Sequence, residues 1–127
     1  MKRDMDLVRQ ILLICEATGP DERVPGVPEV EGYSRTQVGY HIYLMGQAGL
    51  LDTSDTHSSD DPYPQALLHS VTWRGHEFID STQSPTVWNA TKELAKKAGG
   101  AGFELLLQIA KYEAKEQLKK LGVDLGS

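Results

Sequence analysis

Five side chains in this sequence could bind a metal or act as base or nucleophile: His41, His57, His69, His76 and the single cysteine, Cys15. None of the histidines stands in a His-Glu-x-x-His frame, and one cysteine cannot make a Cys-x-x-Cys pair. His57 with Asp55, Asp60 and Asp61 could form a loose cation site. The surrounding "TSDTHSSDDPYPQ" is so rich in turn residues, however, that it reads as solvated loop. His41 lies beside an apolar helical stripe, where a core hydrogen bond is the simpler role. Cys15 sits among apolar neighbours, which disfavour a thiolate, and reads as a small buried hydrophobe. There is no Gly-x-Ser-x-Gly, no phosphate-binding glycine loop with lysine, and no framed pair of carboxylates. "GGAG", Gly99 to Gly102, lacks the preceding buried strand of a dinucleotide site and reads as a helix break. The expectation is a protein that is not an enzyme and has no metal and no cofactor.

A second chemistry, surface readout, has better candidates. "QVGYHIYLMGQAGLL", Gln37 to Leu51, is an amphipathic helix closed by glycine. Its first turns and outer face carry Arg35, Thr36, Gln37, Gly39, Tyr40 and Tyr43. Arginine can pair with guanine and glutamine with adenine in the major groove of double-stranded DNA, and tyrosine can reach phosphate. The helix contains no acid, but its one base is Arg35. The net charge of −5 argues against non-specific coating of nucleic acid. Residues 51–82 hold six acids against Arg74 alone, and residues 83–127 hold seven lysines against five acids.

These candidates depend on the elements that hold them. Asp4 caps a first helix running to Ala17, with Met5, Val8, Leu12 and Cys15 as its stripe and Ile11 beside them. Gly19 and Pro20 stop it. Residues 20–33 contain three prolines and allow one short extended segment, read as an edge strand. Ser34 caps the second helix, which turns Val38, Ile42 and Met45 inward and ends at Gly49. Leu50 and Leu51 re-enter the core. "LLDTS" pairs with "ALLHSVTW", Ala66 to Trp73, in a hairpin with a long tip. Thr72 caps a short helix, and Ser84-Pro85 starts another that halts at Gly99-Gly100. A last helix spans about Phe103 to Leu121. Its wide apolar face includes Phe103, Leu106, Leu107, Ile109, Ala110, Ala114, Leu118 and Leu121, and the tail after Gly122 frays. That face either seals a homodimer, through Phe103, Leu106, Leu107, Ala110 and Ala114, or folds back on its own core.

The expected fold is α+β and mostly helical. Residues 1–83 form a degenerate winged-helix domain, and residues 84–127 a C-terminal helical extension packed on it or used for dimerisation. "QVGYHIYLMGQAGLL" is similar to the recognition helix of bacterial winged-helix repressors of the arsenic-resistance and multiple-antibiotic-resistance types. Val38, His41, Ile42 and Met45 match the buried pattern, and Ala48-Gly49-Leu50 the closure. "VTWRGHEFID" resembles the end of their wing through Val71-Thr72, Gly75, Phe78 and Ile79. In the repressors another helix precedes the recognition helix, and here residues 20–33 leave room for a single turn or extended chain. Over most of residues 1–100 the chain resembles the bacterial and phage domain of unknown function 2513, through "KRDMDL", "YHIYLMGQAGLL", "GHEF" and "TVWNATKELAKKAGG". That resemblance implies a cytoplasmic, often prophage-associated protein and no particular activity.

The longest apolar run, Ile11 to Cys15, falls far short of the ~20 residues that span a bilayer, and "MKRDMD" does not lead into a signal peptide, so no membrane partner is expected. Two functions stay open. One is a transcriptional regulator of bacterial or prophage origin that binds double-stranded DNA. The other is a module that binds a protein partner on a winged-helix scaffold without DNA.

Overall fold

A computed structural model describes residues 1–56, 58–100 and 102–122 of the chain. His57, Ala101 of the glycine-rich break, and the tail after Gly122 lie outside the described residues. The described residues form five helices and one two-stranded antiparallel hairpin, an α+β and mostly helical chain. It separates into two compact units, Met1–Glu77 and Phe78–Ser127.

In the first unit, α1 spans Met5–Ala17 and starts where the Asp4 carboxylate accepts from the backbone N–H groups of Asp6 and Leu7. It buries Leu7, Val8, Ile11 and Leu12. The expected stripe needs correction at both ends: Met5 and Cys15 are only half-buried, and Leu7 is fully buried. Leu7 lies beyond Ile11 around the helix, on the side away from Val8, so the buried arc is shifted off the Met5–Cys15 line.

The chain from 18 to 33 forms neither helix nor strand, so the expected edge strand is absent. Pro25 and Pro28 explain this. They flank Gly26 and Val27 and have no N–H to donate, so a ladder cannot propagate. One bond survives, from Leu68 N–H to the Gly26 carbonyl at 2.8 Å. Gly26 permits that approach: a β-carbon there would stand 2.9 Å from Leu67 Cδ2.

Helix α2, Arg35–Gln47, buries Val38, Gly39, His41, Ile42 and Met45. Gly49, at φ 77°, turns the chain out of the helix, and Leu50 and Leu51 return to the core. Strand β1, Leu51–Asp55, then pairs with β2, Ala66–Val71, with a register irregularity between Asp52 and Thr53. Ala66 and Leu68 alternate into the core. Each large aliphatic side chain so buried contributes roughly 1.5–3 kcal/mol.

Trp73, which the sequence placed both at the end of the strand and at the start of the helix capped by Thr72, opens α3, Trp73–Thr82. The reason is Thr72, whose side chain accepts from Gly75 N–H at 3.1 Å and donates to the Gly49 carbonyl. That cap ends the strand before Trp73 is reached.

In the second unit, α4, Pro85–Lys97, is capped by Ser84 with proline in its first turn. Gly99 and Gly100, at φ 83° and 109°, end it. Helix α5, Phe103–Lys120, packs against α4. Phe78 meets Trp88 edge-on, with centroids 6.0 Å apart, and lies 5.3 Å from the Phe103 ring. Buried Thr82 and Thr91 each donate at 2.7 Å to the carbonyl four residues back, so neither hydroxyl is left unsatisfied. No described helix is long and apolar enough to cross a membrane.

Candidate functional site

Helix α2 is fixed at its start by a capping box. Ser34 Oγ accepts from Gln37 N–H at 3.1 Å, and Gln37 Oε1 accepts from Ser34 N–H at 2.7 Å. One turn later His41, 1 % exposed, bridges two helices. Its Nε2 accepts from Asp4 N–H at 2.8 Å, and its Nδ1 lies 2.8 Å from the Gln37 carbonyl. An amide N–H can only donate and a carbonyl can only accept, so the ring is the neutral tautomer with its proton on Nδ1. His41 thus has the core role its position suggested. Asp4 completes the joint: one oxygen caps α1, and the other accepts from the Tyr33 hydroxyl at 2.8 Å. Burial, then the bond to the Asp4 carboxylate, push the Tyr33 phenol up to about 12.

The outward face of α2 carries Thr36, Tyr40 and Tyr43 in one line, followed by Gln47. Tyr40 stacks on Tyr43 at 6.5 Å and 17° between planes, and Tyr63 tilts onto Tyr40 at 5.1 Å. Gln47 Nε2 donates to the Tyr43 hydroxyl at 3.1 Å. Arg35 is exposed and lines a cleft of about 590 Å³ with Val27, Glu29, Glu31 and Tyr33. Two of the six expected DNA-reading residues are held differently. Gln37 has its amide oxygen engaged in the capping box. Gly39 is buried under the Gln65 amide, which a β-carbon at 39 would overlap. Gln65 also donates to the Thr36 carbonyl at 3.2 Å, tying the loop to the helix.

The hairpin beside this face is acidic. Asp52, Asp55, Asp60 and Asp61 are all exposed. Ser54 Oγ and His69 Nε2 share a hydrogen bond across the two strands on the exposed face. Asp61 turns inward to its own loop, accepting from Ser58 N–H at 2.7 Å. Among the described residues no three His, Cys, Asp or Glu side chains could hold a metal ion. The loose cation site expected around His57 falls on a residue outside that description. Cys15 is half-buried, and burial raises its thiol to about 11, which suppresses the thiolate. Trp73 is 82 % exposed at the start of α3.

Of the residues expected to seal a dimer, Leu106, Leu107 and Ala110 are already buried by their own chain, and Phe103 and Ala114 are half-buried. The apolar face is narrower than its sequence suggested: Leu118 and Leu121 are exposed.

Sequence reasoning passed over four neighbours of α2: Tyr63, Gln65 and the basic pair Lys2 and Arg3. Tyr63 and Gln65 gave no local signal, since their contacts arise only when the hairpin folds back. Lys2 and Arg3 were visible as charges. Their placement follows from the Asp4–His41 bond and from Met1 N, which donates to the Tyr63 hydroxyl at 3.0 Å. Lys2, Arg3 and Arg35 make no ion pair among the described residues.

Residues 2–101 match the family model described as "Hypothetical protein (DUF2513)". A protein of Haemophilus influenzae, described as uncharacterized, is 35 % identical over 112 residues, covering 87 % of this chain and 92 % of the relative. No solved structure matches significantly.

Proposed function

The chain belongs to the DUF2513 family, and we propose that it is a small DNA-binding regulator on a degenerate winged-helix scaffold. In this reading α2 enters the major groove, the β1–β2 hairpin is the wing, and the irregular, turn-containing segment 18–33 stands where a helix usually precedes the reading helix. The observation that carries it is the outward face of α2. It holds no acid, and it presents Thr36, Tyr40, Tyr43 and Gln47 from a helix fixed at its start. Around its N-terminal half stand Arg35, Lys2 and Arg3, cations with no ion pair among the described residues. Gln37 and Gly39 serve the helix rather than the groove. Base reading then falls to Arg35 and Thr36, with the tyrosine hydroxyls reaching phosphate. A bacterial or prophage cytoplasm is the setting that goes with this role.

Selection of bound fragments from random duplex DNA tests the reading. One motif should be enriched, and Arg35→Ala should lose about 1–3 kcal/mol of discrimination at a single base pair of it. A second reading, a module for a protein partner that does not bind DNA, is favoured by the exposed acids of the hairpin, which repel phosphate, and by the bare Trp73. It expects no enriched motif.

A further inference from the structure

The reading helix has one cation of its own, and the hairpin beside it has none, so a DNA-binding chain of this shape needs another grip on the phosphate backbone. We propose that residues 1–3 are a preformed phosphate-binding arm, in which Lys2 and Arg3 contact the backbone of duplex DNA next to the groove that α2 enters. The inference rests on the DNA-binding reading above and adds residues which that reading does not need for base recognition.

Three observations converge on the arm. It is fastened on both sides of the basic pair: Met1 N donates to the Tyr63 hydroxyl at 3.0 Å, and Asp4 N–H donates to His41 Nε2 at 2.8 Å. Both anchors tie the arm to α2: His41 is a buried residue of that helix, and Tyr63 packs on Tyr40 of its outward face at 5.1 Å. An arm held this way loses little conformational freedom when it binds, unlike a free basic tail. Next, Lys2 and Arg3 are exposed and form no ion pair among the described residues, whereas Arg9 and Arg74 of the same unit are engaged by their own chain. Finally, the arm lies against hydroxyls that suit the same ligand. Tyr63 accepts from Met1, which leaves its own O–H to donate, and the Tyr40 hydroxyl has no hydrogen-bond partner among the described residues. Two cations and two phenolic donors beside an acid-free helix match a run of phosphates. They carry no base information, so the arm sets affinity and register and leaves the choice of sequence to α2.

The test is the double variant Lys2→Ser/Arg3→Ser of the full chain, titrated by fluorescence anisotropy against a selected duplex and a scrambled one across a salt series. Each phosphate contact contributes about 0.9 to the slope of log K against log salt on B-form DNA. The double variant should therefore give a slope shallower by about 1.8, and weaken both duplexes by the same factor. The selected motif should be unchanged. Lys96→Ser/Lys97→Ser, at the end of α4, removes the same charge from two other exposed lysines and should leave the slope as it was. Circular dichroism verifies that both variants stay folded. An unchanged slope in the arm variant, with wild type still preferring its motif, overturns the arm and spares the DNA reading. An equal fall in the α4 variant also overturns it, since the attraction would then be diffuse. A wild type that binds neither duplex overturns both.

Discussion

Gly75 is where α3 comes closest to the α2–β1 junction, and Gly75→Ala is a severe test of that packing. A β-carbon at 75 would overlap the Leu50 carbonyl oxygen and stand 2.7 Å from Val71 Cγ1, against the ~3.5–4.0 Å of an ordinary carbon contact. Neither obstacle yields easily. The Leu50 carbonyl accepts from Thr72 N–H at 3.1 Å, and Leu50 N–H donates to the Met45 carbonyl at 2.9 Å, so its peptides are held from both sides. Val71 is the last residue of β2, paired with Leu51. Relieving the overlap means moving the first turn of α3 outward by about an ångström, with the Thr72 cap attached to it. Overpacking of this kind costs ~1–3 kcal/mol, and a weakened cap adds about 1 kcal/mol. Helix propensity works the other way, favouring alanine by at most ~1 kcal/mol. The balance is a loss of about 1–3 kcal/mol, read as a lower urea midpoint by circular dichroism at an unchanged m-value. An alanine variant as stable as wild type, or more so, would refute the close approach and the α3 placement that depends on it.

Truncation of the buried face of α2, by Ile42→Ala or Met45→Ala, should cost ~2–5 kcal/mol, while Tyr43→Ala on the outward face should cost far less; equal losses by urea denaturation would reverse the faces. Leu107→Glu puts a carboxylate at a position buried within its own chain, so it should remove helical signal rather than release a folded monomer, and sedimentation beside circular dichroism separates the two outcomes. Tyr33 has a phenol raised from 10.0 to about 12, so the folded state favours its protonated form. The stabilisation is complete below about pH 10 and is lost as pH rises through about 12. Tyr33→Phe should accordingly be less stable at neutral pH and lose less further stability between about pH 10 and 12, as urea midpoints across that range would show.

The elements were legible where the local chain dictates them. Asp4, Ser34 and Ser84-Pro85 are caps whose partners lie within three residues, and Gly49, Gly99, Gly100 and Gly122 take the left-handed conformation expected after a helix. The hairpin was legible from the β-formers of "ALLHSVTW" and the turn-rich loop that separates it from "LLDTS". The strand readings erred where a neighbouring residue outweighed side-chain type. Val24 and Val27 have strand-forming side chains, but a strand also needs donors, and the flanking prolines withhold them. Trp73, read at both the end of the strand and the start of the helix, goes to the helix because Thr72 caps it. At the candidate site the limit was distance along the chain. Tyr40 and Tyr43 were visible as an outer face, whereas the loop residues Tyr63 and Gln65, which cover Tyr40 and Gly39, become neighbours only through tertiary folding. Gln37 is the exception, because Ser34-x-x-Gln37 is a capping-box spacing, and that local pattern alone assigns the glutamine side chain to the helix start.

The central claim, that the outward face of α2 reads duplex DNA, is tested most directly by anisotropy titration of wild-type protein against a selected duplex and its scrambled counterpart over a salt series. Two separate curves are expected, with the selected duplex bound more tightly at every salt concentration and the gap narrowed by Arg35→Ala. Superimposed curves for the two duplexes, unmoved by Arg35→Ala, would contradict the account.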